Sequence, residues 1–125
     1  MVSTIVIADD ASVVPWLTGI LAANGHQVTT AADGATGLRM LTETMFDLVI
    51  TDTMLPGLSG LDVVSRGRVR SPGTRFLAII GGDPESVASP TMQKFRADGM
   101  LLRPFKEADL LAVVAELLAE SRAFG

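Results

Sequence analysis

An α/β domain built on a parallel five-stranded sheet is predicted by three observations. Apolar runs of strand length alternate with helix-patterned stretches along the whole chain, as in stacked βαβ units. The third of these runs is almost purely apolar, as a strand covered on both faces requires. Two of the runs end in acids, Asp9-Asp10 and Asp52, and a parallel sheet brings all strand C-termini to one edge.

The first strand is Thr4-Ile5-Val6-Ile7-Ala8. A helix over 12–24 follows, with Pro15 tolerated in its first turn and Gly25 as its stop. Residues 27–31 make the second strand. The second helix covers 34–45, with Leu38, Leu41 and Met45 at helical spacing. The third strand is 48–51. The turn Pro56-Gly57 and then Gly60 lead into a helix over 61–69, and the fourth strand, 75–80, ends in Gly81-Gly82. Residues 84–97 are expected to hold a short or irregular fourth helix, because Pro90 cuts it and Ser86, Ser89 and Thr91 lower its propensity. The fifth strand is 99–102, followed by Arg103-Pro104-Phe105. The last helix covers 107–119, with Leu110, Leu111, Val114, Leu117 and Leu118 inward. Five strands and five helices fill the 125 residues as one domain, 1–125, long enough to bury one sizeable core.

Composition narrows the function. Apolar residues make up 48% of the chain, which excludes disorder. A net charge of −4 gives no electrostatic reason to bind nucleic acid. Arg66, Arg68, Arg70 and Arg75 look like a basic patch, but on a helix Arg66 and Arg70 share a face that Arg68 does not, so a solvated face is expected. With no cysteine there is no disulfide, thiol catalyst or thiolate metal site. The longest apolar run, 110–115, is far short of the roughly 20 residues that span a bilayer. The N-terminus lacks the basic segment of a secretory signal, so a cytoplasmic protein is expected. No Walker sequence or GxGxxG occurs, which argues against nucleotide binding.

The chemistry is expected at the acids. A carboxylate at the end of a buried strand, such as Asp52, costs desolvation free energy unless something offsets it. Asp9, Asp10 and Asp52 should converge at the C-terminal edge of the sheet. Carboxylates held together repel by roughly 4 kcal/mol per pair at about 4 Å and an effective dielectric of about 20. A divalent cation with oxygen ligands removes that penalty, and Mg²⁺ characteristically takes one or two carboxylates with waters and phosphate oxygens.

Four features in order resemble the receiver domain of bacterial two-component response regulators: Asp9-Asp10 after the first strand, Asp52 after the third, Pro56-Gly57 with Gly60, and a basic residue-Pro-Phe after the fifth. The resemblance covers essentially the whole chain. It implies a flavodoxin-like, doubly wound (βα)5 sheet in the order 2-1-3-4-5. It further implies that Asp52 takes a phosphoryl group as an acyl phosphate. Mg²⁺ would sit on Asp9, Asp10, Asp52 and the backbone carbonyl of Met54, with Arg103 stabilising the phosphoryl oxygens. A cis bond before Pro104 is plausible, since X-Pro bonds carry only about 0.5–1 kcal/mol of trans preference. The donor would be a histidine kinase or a histidine phosphotransfer protein. An effector would be met through the face of the fourth helix, fifth strand and last helix. No substrate turnover is expected.

The chain departs from that family's pattern at three positions. Arg103 stands where lysine is usual, and its planar fork either holds phosphate well or locks Asp52. Gly81 stands where a serine or threonine hydroxyl is usual, and Met100 where an aromatic residue is. These changes motivate an alternative, a pseudo-receiver that acts as an interaction module independently of phosphate. An aspartyl-phosphate phosphatase is disfavoured, because Met54 stands where such enzymes carry a second aspartate. Plainer readings stand beside the sharper ones: Asp10 as a cap of the first helix, Asp33-Gly34 as a turn, Asp83 as a cap or turn, Thr53 as a solvated turn, His26 on the surface, and Trp16 and the methionines as packing.

Overall fold

Five parallel strands line up in the order β2-β1-β3-β4-β5, with β1 Val2–Ile7, β2 His26–Ala31, β3 Leu48–Asp52, β4 Arg75–Ile80 and β5 Gly99–Leu102. The structure, a computed structural model, describes residues 1–55, 57–81 and 97–123. Helices α1 Val13–Ala23, α2 Gly34–Glu43, α3 Gly60–Arg70 and α4 Glu107–Ala123 cover the two faces. The order 2-1-3-4-5 is the one expected. The irregular helix expected over 84–97 lies, except for Ala97, outside the described residues, as does Pro56.

The period of the strands divides the core in two. Ile5, Ile7, Val49, Phe76, Ala78 and Ile80 face one side, where Leu38 and Leu41 of α2 and Val63 and Val64 of α3 meet them. Val6, Leu48, Ile50, Leu77 and Ile79 face the other, against Leu17, Ile20 and Leu21 of α1 and Leu110, Val114 and Leu117 of α4. Each fully buried aliphatic or aromatic side chain contributes roughly 1.5–3 kcal/mol relative to exposure. The first side packs unusually close. A Cβ on Gly37 would lie 2.4 Å from Ile7 Cδ1, and one on Gly67 would lie 2.9 Å from the Phe76 ring.

Local chemistry sets the helix ends. Asp33, expected as a turn residue, caps α2 by accepting from the Thr36 N–H at 2.7 Å. Ser59 caps α3, accepting from the Asp62 N–H and donating its hydroxyl to the Asp62 carboxylate. Gly25, at φ +88°, ends α1 with a turn that few side chains tolerate. Glycine also supplies φ +72° at Gly57.

Two expectations are corrected. Met45 is exposed rather than part of a helical stripe, because Thr44 adopts extended backbone (φ −140°, ψ 139°) and takes Met45 out of helical phase. His26 is buried, not superficial. β2 begins one residue earlier than expected, which pairs His26 with Val2 and brings its Nδ1 within 2.8 Å of the Thr4 hydroxyl. Among the described residues no helix is long and apolar enough to cross a membrane.

Candidate functional site

The site forms at the C-terminal edge because the register leaves the chemistry-bearing residues at the strand ends. Ile7 pairs with Thr51, Asp52 with Ile79, and Ile80 with Leu102. The loops beyond β1, β3, β4 and β5 therefore start side by side, carrying Asp9-Asp10, Thr53-Met54, Gly81 and Arg103. Asp52 is only 6% exposed. Hydrogen bonds from the Thr53 N–H to the Ile79 carbonyl (3.1 Å) and from the Arg103 N–H to the Ile80 carbonyl (2.8 Å) stitch the loop bases together.

Both oxygens of Asp52 are engaged. Oδ1 accepts from the Met54 N–H at 3.0 Å, and Oδ2 accepts from Arg103 Nη2 at 2.7 Å, the short separation of a charge-assisted bond. The other arm of that guanidinium, Nη1, lies 3.6 Å from Asp10 Oδ2, an ion pair rather than a hydrogen bond. The fork is thus split between two carboxylates. The Arg103-Pro104 bond is cis.

Asp10 serves the helix and the site together. Its Oδ1 accepts from the Ser12 hydroxyl (2.7 Å), the Ser12 N–H (2.9 Å) and the Val13 N–H (3.3 Å), satisfying donors that the start of α1 leaves unpaired. The hydroxyl bond from Ser12, then the two N–H bonds, hold the Asp10 carboxyl below its usual pKa, with Arg103 adding a smaller push the same way. Asp10 thus both bonds the start of α1, the plainer reading, and faces Arg103.

Asp9 is exposed. Among the described residues no group of three or more His, Cys, Asp or Glu side chains is arranged to hold a metal ion. Asp10 and Asp52 come together under one guanidinium, and Asp9 does not join them in such a group. The donor chemistry of the pair, hard carboxylate oxygens, fits Mg²⁺, which takes one or two carboxylates and fills its other positions with water.

Met54 is exposed, and its contribution seen here is the N–H toward Asp52. Gly81 is exposed, with no atom of the described residues within 4 Å of the position a Cβ would take, and Met100 is 41% exposed. Beside Arg103 lies a largely apolar cleft of about 220 Å³ lined by Val13, Trp16, Pro104 and Phe105. In it the Trp16 and Phe105 rings sit 5.6 Å apart. Of the supposed basic patch, Arg68 and Arg75 pair with Asp98 at 3.1 and 3.4 Å, while Arg66 and Arg70 are exposed. Sequence reasoning missed Ser12, although a hydroxyl two residues after an acid at a helix start is a readable signal. It also missed that Gly60 lets α3 rest on the Asp52 backbone, for which no sequence signal exists beyond the glycine itself.

The family model described as the response regulator receiver domain matches residues 4–115. The DNA-binding response regulator MtrA of Mycobacterium tuberculosis is 32% identical over 110 residues, covering 88% of this chain and 47% of that protein. The transcriptional regulatory protein AfsQ1 of Streptomyces coelicolor is 43% identical over 68 residues, covering 54% of this chain and 30% of that one. This chain spans less than half the length of either. A solved receiver domain protein from Clostridium thermocellum superposes with a TM-score of 0.89 at 25% identity, each chain covered in full. A CheY-like receiver domain from Methanospirillum hungatei, at 24% identity and a TM-score of 0.91 over 100% of this chain and 99% of that one, shares the fold.

Proposed function

The chain belongs to the receiver domains of two-component response regulators, and we propose that Asp52 is its phosphoacceptor, with Mg²⁺ as cofactor and signalling by protein–protein contact. One observation carries the reading: a buried carboxylate at the sheet's C-terminal edge shares one guanidinium with a second carboxylate, both brought there by other loops.

In the proposed step an Asp52 oxygen attacks the phosphorus of the donor. The new O–P bond forms as the donor's bond to phosphorus breaks, and the electron pair leaves with the donor. The Met54 N–H holds one oxygen of the carboxylate and leaves the other toward Arg103. Arg103 supplies charge to the equatorial phosphoryl oxygens. Asp10 and Asp52, with Asp9 and the Met54 carbonyl at the same edge, would hold Mg²⁺. That ion would neutralise charge on the transferring group.

The donor in this reading is a histidine kinase or a histidine phosphotransfer protein, and the protein is cytoplasmic. The chain catalyses no turnover beyond the making and loss of its own acyl phosphate. Incubation with acetyl phosphate and Mg²⁺, read by intact mass, tests this. The expected result is one added phosphoryl group, lost in Asp52→Asn. Absence of any addition to the natural chain would overturn the reading in favour of a phosphate-independent module.

A further inference from the structure

A cleft of about 570 Å³ opens at the N-terminal edge of the sheet, opposite Asp52, between the starts of β1 and β2 and the later part of α4. Val2, Val114 and Leu118 give it apolar walls, and Ala115 and Ala119 stand where larger side chains would fill it. Its size and mostly apolar lining are those of small-molecule sites, which add a few placed polar groups. Here those groups are His26 and Asn24.

The period of two puts Thr4 with Val6 on β1, and His26 with Val28 on β2, on the face that α1 and α4 cover. His26 is 8% exposed, and its Nδ1 lies 2.8 Å from the Thr4 hydroxyl. Thr4 is fully buried, and its hydroxyl has no other partner among the described residues. The hydroxyl therefore donates to Nδ1, since the reverse would bury its hydrogen unpaired. Burial holds the ring below its ordinary pKa and so uncharged near neutral pH, with Asp47 opposing. A neutral ring that accepts at Nδ1 carries its hydrogen on Nε2. Nε2 has no partner among the described residues and is not sealed from solvent, so it offers a donor to the cleft. Asn24 donates from Nδ2 to the Ile20 carbonyl at 2.8 Å and keeps its amide oxygen at the rim as an acceptor.

Charge decides the class of ligand. Among the described residues no Lys, Arg, Asp or Glu lines the cleft, so a carboxylate entering it would lose water without gaining a counter-ion. Asp47, whose charge His26 senses, is negative as well. A neutral carbonyl meets neither cost. We propose that this cleft binds a small neutral carbonyl compound with an apolar body, an amide in the simplest case, whose oxygen accepts from His26 Nε2.

The test is titration of the full ¹⁵N-labelled chain with octanamide, read by amide NMR, with octanoate as the charged counterpart. Expected are saturable shifts at Val2, Asn24, His26 and 111–119 that leave the amides of Asp10, Asp52 and Arg103 in place. Octanoate should bind at least about tenfold more weakly. Ala115→Phe, at an exposed helix position, fills the cleft and should abolish the shifts. His26→Phe keeps a ring without the donor and should weaken binding about two- to tenfold. Should that variant fail to fold, ring ¹⁵N spectra of the natural chain decide: His26 should be protonated at Nε2 alone, and its signals should move with octanamide. No saturable shift up to the solubility of octanamide, a ring protonated at Nδ1, or unchanged affinity in His26→Phe would each overturn the proposal. Octanoate binding as tightly as octanamide, or shifts that survive Ala115→Phe, would do the same. So would shifts at these residues on concentrating the protein alone, which would assign the cleft to a second copy of the chain.

Discussion

Gly60 opens α3 directly against the backbone of the candidate phosphoacceptor. A Cβ there would lie 2.1 Å from the Asp52 carbonyl oxygen, 2.8 Å from Thr53 Cα and 2.9 Å from the Asp52 carbonyl carbon. All three are backbone atoms, so no side chain can rotate away. Restoring ordinary separations of about 3.5 Å requires α3 to withdraw by about 1 Å or more. That stretches the 3.3 Å hydrogen bond from the Gly60 N–H to the Thr53 carbonyl. Overpacking of this kind costs about 1–3 kcal/mol, and backbone contact sets it near the upper end. The better helix propensity of alanine returns up to about 1 kcal/mol. The expected net loss for Gly60→Ala is therefore about 2 kcal/mol in urea unfolding, or about 8 °C in Tm for a domain of this size. Gly81→Ala is the matched control: it meets no atom of the described residues within 4 Å and should stay within about 0.5 kcal/mol. Displacement of Asp52 should also slow phosphorylation from acetyl phosphate, by up to about 100-fold per ångström of misplacement. A Gly60→Ala chain as stable as the Gly81→Ala control would refute the reasoning.

Three further outcomes are expected. Burial lowers the pKa of His26 below its usual 6.5, with Asp47 opposing. As pH falls through about 6.5 the unfolded chain thus takes up a proton that the folded chain resists, and stability declines toward acid. His26→Gln keeps a partner for Thr4 and removes this contribution, so the difference in urea midpoint between natural chain and variant should change between pH 7.5 and 5.5; a constant difference would contradict it. Asp98 accepts from the Phe76 N–H at 2.8 Å and pairs with Arg68 and Arg75. Asp98→Asn should cost about 2 kcal/mol by denaturant titration, discounted for the partial exposure of the arginines, and an unchanged midpoint would show the cluster to be idle. Beryllofluoride with Mg²⁺ should shift few amides in the natural chain, because no hydroxyl stands at Gly81, and more in Gly81→Ser, whose side chain meets none of the described residues. A hydrogen bond to a charged group is worth about 1.5–3 kcal/mol against the roughly 5.5 that a full population shift takes. Large shifts spreading through 84–110 in the natural chain would contradict weak coupling.

Most strand bounds were legible because apolar runs and their Gly, Pro and acid stops are local signals, whereas the sheet order followed from the resemblance to a family. Asp52 stood out for the same reason, as a charge at the end of an apolar run. The burial of His26 was not legible, since it depends on which residue of β1 it pairs with. Met45 fitted a helical period that Thr44 interrupts by backbone conformation alone. The residue type at Arg103 announced a departure from the pattern, but a fork shared between Asp10 and Asp52 is a property of three loops meeting, which no single stretch of sequence encodes. The pairing of Arg68 and Arg75 with Asp98 escaped notice for the same reason.

Asp10 and Arg103 enter the site from loops after the first and fifth strands and Asp52 from the end of the third, so their meeting depends on nearly every crossover of the chain. A nascent or damaged copy missing any one of those strands could not bring the three side chains together. Whatever occupies the edge also tightens the whole sheet, by RT ln(1 + [L]/Kd) or about 2.7 kcal/mol at a hundredfold excess over Kd.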